Sequence, residues 1–184
     1  MKSHRVKDLM VPLEEYATVN ENASLFEAVF ELEKIQAKSD PARYRHRAVL
    51  VLDDRGHVVG KVSQLDILRS LEPKYEEMQQ RQGQHRPGFT RQFLKSLLDN
   101  YDLWQKPMDD ICKKAVQRKV KEFMYTPPEG EFVDENASLD EAIHQLVMGH
   151  HQSLLVVRKN EIVGILRLSD VFVTVSDAIK QCPI

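Results

Sequence analysis

Two cysteines, Cys112 and Cys182, stand in 184 residues, and no C-x-x-C occurs. A disulfide framework or a zinc ribbon needs more than that, so neither organises this chain. The scarcity suits a reducing, cytosolic setting, and a cytoplasmic location is expected. Cys112 falls in a helix-like stretch and reads as a small apolar packing residue rather than a nucleophile. Glycine and proline number only 7 and 8, which excludes collagen-like and low-complexity chains. Long apolar runs are missing too. The longest are Ala48–Leu52 and Leu154–Val157, far short of the roughly 20 residues that cross a bilayer. The N-terminal MKSHRVKDLM has no apolar segment behind it, so neither a signal peptide nor a membrane partner is expected. Neither sign of charge dominates. With 26 Lys and Arg against 28 Asp and Glu, the net charge is −2, which argues against a nucleic-acid partner and against an acidic disordered tail.

What is present suits a soluble globular protein with a real core: 42% hydrophobic and 29% charged residues. The length allows one domain or two small lobes. Internal repetition then organises the chain. Val6-Lys7-Asp8-Leu9-Met10 returns as Val120-Lys121-Glu122-Phe123-Met124. Val19-Asn20-Glu21-Asn22-Ala23-Ser24-Leu25 returns as Val133-Asp134-Glu135-Asn136-Ala137-Ser138-Leu139, and both matches are 114 residues apart. His46–Val51 matches His151–Val156 at a spacing of 105, and Val58-Val59-Gly60 matches Ile162-Val163-Gly164 at 104. The first copy therefore carries extra residues around Gln36–Arg45, where Ser39-Asp40-Pro41 reads as a loop.

Each copy spells β-α-β-β-α. The extended pieces are Ala17–Asn20 and Glu131–Asp134. Ser24 with Glu27, and Ser138 with Glu141, are S-x-x-E signatures of a helix start, in which hydroxyl and carboxylate satisfy each other's backbone amides. One helical face then carries Leu25, Ala28, Val29, Leu32 and Ile35, and the other Leu139, Ala142, Ile143, Leu146 and Val147. Ala48–Leu52 and His57–Val62 read as one hairpin, Ser153–Val157 and Glu161–Leu166 as another. Closing helices are expected at about Gln64–Leu71 and Leu168–Ile179. A unit of this size is marginal alone, so two copies sharing a core, with a cleft between them, are expected. The chain divides as 1–71, 72–119 and 120–184.

With Gly60-Lys61-Val62-Ser63-Gln64-Leu65-Asp66 at the last strand-to-helix junction, this doubled pattern resembles a pair of cystathionine-beta-synthase (CBS) domains, a Bateman module. The resemblance implies an α/β (α+β) fold of tandem repeats with pseudo-two-fold symmetry and a helical insert between them. It also implies a regulatory rather than catalytic protein, a homodimer, and a regulated protein acting in trans. The ligand it implies is adenosyl (AMP, ADP, ATP or S-adenosylmethionine), with no cofactor required. Asp66 and Asp170 hold the position that bonds ribose hydroxyls, a task suited to a carboxylate. Ser63 stands near the ribose or phosphates, at a helix N-terminus that favours anions. Thr18 and Val19 lie on the strand that meets adenine. Arg45-His46-Arg47-Ala48 resembles the basic strand start that faces phosphates in this family, and arginine's planar fork suits that contact. The second copy departs from the pattern: Arg167 stands for Ser63, Gln152 for Arg47 and Phe132 for Thr18, while Asp170 survives. The two clefts are therefore not equivalent, and one adenosyl site is expected, involving Asp66 or Asp170.

Plainer readings stand beside these. Ser63-x-x-Asp66 is also a helix cap. Arg43, Arg45, His46 and Arg47 also fit a solvated loop edge. Arg167 could either contact a phosphate or fill the site with its stem. His151 starts a strand near the same region as His46. His144, His150 and His151 lack ligand spacing, so no metal is expected. No nucleophile, base and orienting group stand together in a motif, so an enzyme is the weakest reading.

The stretch 72–119 has no counterpart in the repeat. Pro73 and Gln79–Gly88 read as breaks, and Glu76-Glu77 as part of a polar segment. Thr90 caps a helix expected over Thr90–Gln105, with Phe93, Leu94, Leu97, Leu98, Tyr101 and Trp104 on one face. Pro107 ends it and starts another, with Met108, Ile111, Cys112 and Ala115 on one side. The 90–105 face either packs on its own chain or serves a ligand-free interaction or dimerisation module, where Trp and Tyr are common anchors.

Overall fold

A computed structural model describes residues 4–38, 46–72, 74, 75, 78, 90–104 and 108–182. The expected loop at Ser39-Asp40-Pro41, Arg43, and the readings at Pro73, Glu76-Glu77, Gln79–Gly88 and Pro107 lie outside these residues.

A two-residue strand, β1 (Val11–Pro12), precedes the first copy. That copy runs β2 (Thr18–Asn20), α1 (Leu25–Lys38), β3 (Ala48–Leu52), β4 (Val58–Ser63) and α2 (Gln64–Leu71). In the insert follow α3 (Arg91–Asn100) and α4 (Met108–Gln117). The second copy runs β5 (Phe132–Asp134), α5 (Leu139–Met148), β6 (Ser153–Arg158), β7 (Glu161–Arg167) and α6 (Leu168–Lys180). The fold is thus mixed α and β, with tandem β-α-β-β-α repeats.

Local chemistry sets the helix starts. Glu27 N donates to the Ser24 hydroxyl at 3.2 Å, while the Glu27 carboxylate accepts from Ser24 N at 2.6 Å. These bonds hold the Glu27 carboxyl below its ordinary pKa. In the second copy Glu141 N donates to the Ser138 hydroxyl at 3.4 Å. In each copy the first strand pairs in parallel with the second, across the helix between them, and the last two strands form an antiparallel hairpin. A one-sided sheet and one helical stripe then close over a core of β-branched and leucine side chains.

The segment ahead of each copy crosses to the other copy. Val6 N donates to Ala137 O and Lys7 N to Glu135 O, at 3.1 and 2.9 Å. One repeat length on, Val120 N donates to Ala23 O and Lys121 N to Glu21 O, at 2.8 and 3.0 Å. Val6 is fully buried among Val133, Leu139 and Leu154, and Val120 among Val19, Ala28 and Val49. β1 adds to the second copy's sheet, in the order β1-β7-β6-β5, beside the three-stranded β2-β3-β4. A matching bridge joins Lys61 to Tyr125, with both backbone bonds at 2.9 Å. The arms come so close that Gly60 and Gly164 are required. A Cβ on Gly164 would lie 2.5 Å from Val11 O, and one on Gly60 2.8 Å from Met124 Sδ. A third cluster of Val11, Tyr16, Leu50, Leu155 and Ile165 joins the two sheets.

The structure corrects three expectations. Val147 is 61% exposed, because α5 seats Leu139, Ala142 and Leu146 inward and leaves Val147 at the outer edge of that stripe. Cys112 is exposed. The side of α4 turned to α1 and α2 carries Ile111, Lys114 and Ala115, with Arg118 just past its end. The helix expected over Thr90–Gln105 ends at Asn100, and Asp102 and Trp104 take left-handed φ values of 49° and 60°. Tertiary bonds override the periodicity there. Lys74 Nζ donates to Tyr101 O at 2.5 Å, and Trp104 N to the buried Glu72 carboxylate at 3.2 Å. Of the apolar face, Leu97 and Tyr101 are half-buried, whereas Phe93, Leu94, Leu98 and Trp104 are exposed.

Candidate functional site

β4 runs directly into α2, and β7 into α6, so each junction presents a carboxylate on the first turn of a helix. These are Asp66 and Asp170, and the groups around each come from both copies.

At the first junction Ser63 and Asp66 form a reciprocal cap. Asp66 N donates to the Ser63 hydroxyl at 3.2 Å, and Asp66 Oδ2 accepts from Ser63 N at 2.9 Å and Ser63 Oγ at 2.6 Å. The other oxygen, Oδ1, has Arg69 Nη1 at 3.5 Å, the outer edge of a hydrogen bond. From the second copy come Tyr125, Glu131 and His151. The almost fully buried Glu131 carboxylate accepts from Lys61 Nζ and from the Tyr125 hydroxyl. His151 Nδ1 lies 3.8 Å from Glu131, and the Lys61 ammonium sits 5.2 Å from the Tyr125 ring centroid. Burial pushes the Tyr125 phenol up to about 12, helped by its bond to Glu131 and by the negative charges of Glu131 and Asp66.

At the second junction Arg167 replaces the cap. Its Nε and Nη2 donate to Asp170 Oδ2 and Oδ1 at 2.5 and 2.6 Å, and its side chain gives α6 no cap bond. The buried Tyr16 ring comes from the first copy and meets the buried His46 edge-on at 4.5 Å. Burial pushes the Tyr16 phenol up to about 12. Arg167 acts against that rise and Asp170 with it, which puts all three in one electrostatic neighbourhood.

The residues expected from the sequence divide accordingly. Ser63, Asp66 and His151 lie with the first cluster, and His46, Arg167 and Asp170 with the second. Ala48 pairs with Ser63 across the hairpin. Thr18 pairs with Leu50 on β2, and Val19 turns its side chain into the first copy's core. Arg47 is exposed, and its guanidinium has no hydrogen-bond or ion-pair partner among the described residues; its carbonyl accepts from Gln64 N at 3.0 Å. Arg45 lies outside the described residues.

Lys61, Glu131, Tyr125 and Tyr16 were not expected. The repeat itself carried the signal for two of them. Lys61 aligns with Ile165 and Glu131 with Ala17, so one junction has gained a complementary pair where the other is apolar.

The comparisons with known proteins agree with this architecture. The CBS domain family matches residues 6–73 and 120–177, so the chain belongs to the CBS domain family and carries the domain as a pair. Among solved structures, CBSX2 of Arabidopsis thaliana, solved in complex with AMP, is 22% identical at a TM-score of 0.58, covering 97% of this chain and 99% of that one. A CBS domain-containing protein of unknown function from Bacillus anthracis is 18% identical at a TM-score of 0.62, covering 96% and 95%. The CBS domain of a membrane protein from Sphaerobacter thermophilus is 18% identical at 0.60, covering 91% and 85%. None of the curated proteins matches significantly. No described helix is long and apolar enough to cross a membrane, and no group of three or more described His, Cys, Asp or Glu side chains could hold a metal.

Proposed function

We infer that this CBS pair is a regulatory module, not an enzyme, that binds an adenosyl ligand (AMP, ADP, ATP or S-adenosylmethionine) beside Asp66 and signals to a partner protein. The observation that carries this reading is Asp66 itself. Its carboxylate is fixed by Ser63 through one oxygen while the other, among the described residues, keeps only a long contact to Arg69. That leaves an acceptor for the vicinal hydroxyls of a ribose, next to groups contributed by the other copy. CBS pairs are in general regulatory rather than catalytic, and the similar CBSX2 was solved with AMP.

The route outward runs along α2. Its N-terminus holds Asp66, and its C-terminus holds the insert: Arg118 Nη1 donates to Ser70 O at 2.5 Å and Lys114 Nζ to Leu71 O at 2.8 Å. At 1.5 Å rise per residue, Asp66 and the carbonyls that hold the insert sit roughly 7 Å apart along one short rod. A ligand that shifts α2 therefore shifts the insert and whatever binds it. Titration calorimetry with AMP, ADP, ATP and S-adenosylmethionine tests the reading. Saturable heat with at least one, weakened ten-fold or more by Asp66→Asn, is expected. No heat with any of them at millimolar concentration overturns it.

A second reading has one observation in its favour, the exposure of Phe93, Leu94 and Leu98 on α3. It makes the chain a ligand-free interaction or dimerisation module. Under it, Leu94→Lys with Leu98→Lys halves the sedimenting mass of a homodimer and nucleotide changes nothing. An unchanged mass for that variant counts against it.

A further inference from the structure

Asp66 and Asp170 occupy equivalent first-turn positions, and their side chains are similarly buried, at 15% and 18% exposure. Burial therefore does not distinguish them; their partners do. Asp66 engages one oxygen with a neutral serine and has Arg69 at 3.5 Å from the other. Asp170 has both oxygens taken by one guanidinium, at 2.5 and 2.6 Å, and that arginine side chain is 8% exposed. A buried bidentate Arg–carboxylate pair is about twice as strong per bond as a neutral hydrogen bond, so ribose hydroxyls do not displace it on equal terms. The surroundings run the same way. Tyr16, buried with its ring against His46, lies within electrostatic reach of Arg167 and Asp170. The residue aligned with Tyr16 in the second copy is Gly130, where an added Cβ would meet nothing within 4 Å.

We propose that Arg167 is a built-in occupant of the second cleft: its guanidinium takes the two carboxylate oxygens that a ribose would use, so each chain binds one adenosyl ligand, at Asp66, rather than two. The inference rests on the carboxylate reading given above and assigns the specificity between the two clefts to one residue. The edge of the Arg167 fork formed by Nε and Nη2 is committed to Asp170 in this arrangement rather than to a phosphate.

The test is stoichiometry by equilibrium dialysis of the full chain, with AMP, ATP and S-adenosylmethionine as separate probes. Arg167→Ser copies the first junction and gives α6 the cap it lacks. It is expected to bind one more ligand per chain than wild type, and Asp170→Asn in that background removes the gain. Thermal unfolding checks that each variant folds. Should Arg167→Ser not unfold cooperatively, Arg167→Gln keeps the stem packed while giving up the charged fork, and the same added equivalent is expected. An unchanged stoichiometry with all three probes overturns the proposal, whatever wild type binds. So does wild type binding two ligands, or losing its single one through Asp170→Asn. Wild type binding none while Arg167→Ser binds one overturns the Asp66 reading and supports only the assignment of Arg167 as the occupant of the second cleft.

Discussion

Val6 and Val120, one repeat apart in the sequence, are each fully buried in the core of the copy they do not precede. Each buried valine contributes roughly 2 kcal/mol. Val6→Ala and Val120→Ala are expected to cost about that much each, and the pair should be nearly additive because the two cores are separate. Urea unfolding followed by circular dichroism checks this. Because each arm ties one copy to the other, each variant should lower a single shared midpoint. Two resolved transitions would contradict the coupling.

The arm contacts make the two glycines at equivalent repeat positions unequal. At Gly164 a methyl group meets backbone, Val11 O at 2.5 Å; at Gly60 it first meets the flexible end of Met124, at 2.8 Å. Gly164→Ala is expected to cost about 1–3 kcal/mol, in the range of overpacked cores, and Gly60→Ala less. Shortening Met124 to alanine should recover part of the Gly60→Ala loss, while Met10→Ala should recover little at Gly164. Thermal melts of the four variants decide.

Lys61 and Glu131 are both mostly buried, and each neutralises the other. Glu131→Ala alone strands a buried ammonium and is expected to destabilise by about 3–5 kcal/mol. The double change Lys61→Ile with Glu131→Ala installs the residues of the other junction and should return near wild-type stability. A double-mutant cycle in urea measures the coupling. No coupling would mean that the pair is solvated and energetically idle.

Alkaline titration should reveal two late phenols. Tyr16 and Tyr125 are both raised from 10.0 to about 12, burial being the first cause in each. A phenol raised on folding holds its proton more tightly in the native state, so its contribution is whole below pH 10 and is lost as the pH rises through about 12. For the buried Tyr16 that contribution is about 3 kcal/mol. Tyrosinate absorbance should show Tyr16 and Tyr125 ionising late, and Tyr16→Phe and Tyr125→Phe should each remove one late group. Stability should fall steadily across that window.

Trp104 reports on the insert. Its indole N–H donates to the Tyr75 hydroxyl at 2.9 Å and its backbone to Glu72. Glu72→Ala should free the turn and shift the single tryptophan's emission to the red. If α2 carries the signal, saturating AMP should move that emission in wild type and not in Arg118→Ala. Identical responses in both would sink the α2 route.

The sequence disclosed the architecture because its signals were local and doubled. The Ser24/Glu27 pair, the polar turns between strands and the closing helix at Gln64–Leu71 each rest on neighbouring residues, and the second copy repeats them. What stayed hidden depends on contacts between distant residues. The crossing of Val6 and Val120 left no mark in periodicity, since a buried valine reads alike in either core. The Arg167–Asp170 fork needed side-chain geometry to distinguish a phosphate contact from an internal partner. The end of α3 at Asn100 is set by Lys74 and Glu72, far from it in the chain. Lys61 and Glu131 were legible in principle, but only by setting one copy against the other.

The crossing of the arms also redefines the stretch 72–119. It leaves the first copy at the end of α2 and returns through Arg118 and Val120 to the same copy. The chain therefore passes from the first copy on to the second only afterwards, over the few residues that separate Tyr125 from β5. The insert leaves and rejoins one lobe, and its base is pinned there by Lys114 and Arg118. Closing such a loop costs only about 0.6 kcal/mol more for each doubling of its length. This part of the molecule is thus free to grow, shrink or acquire a new binding face while the paired repeats beneath it stay as they are.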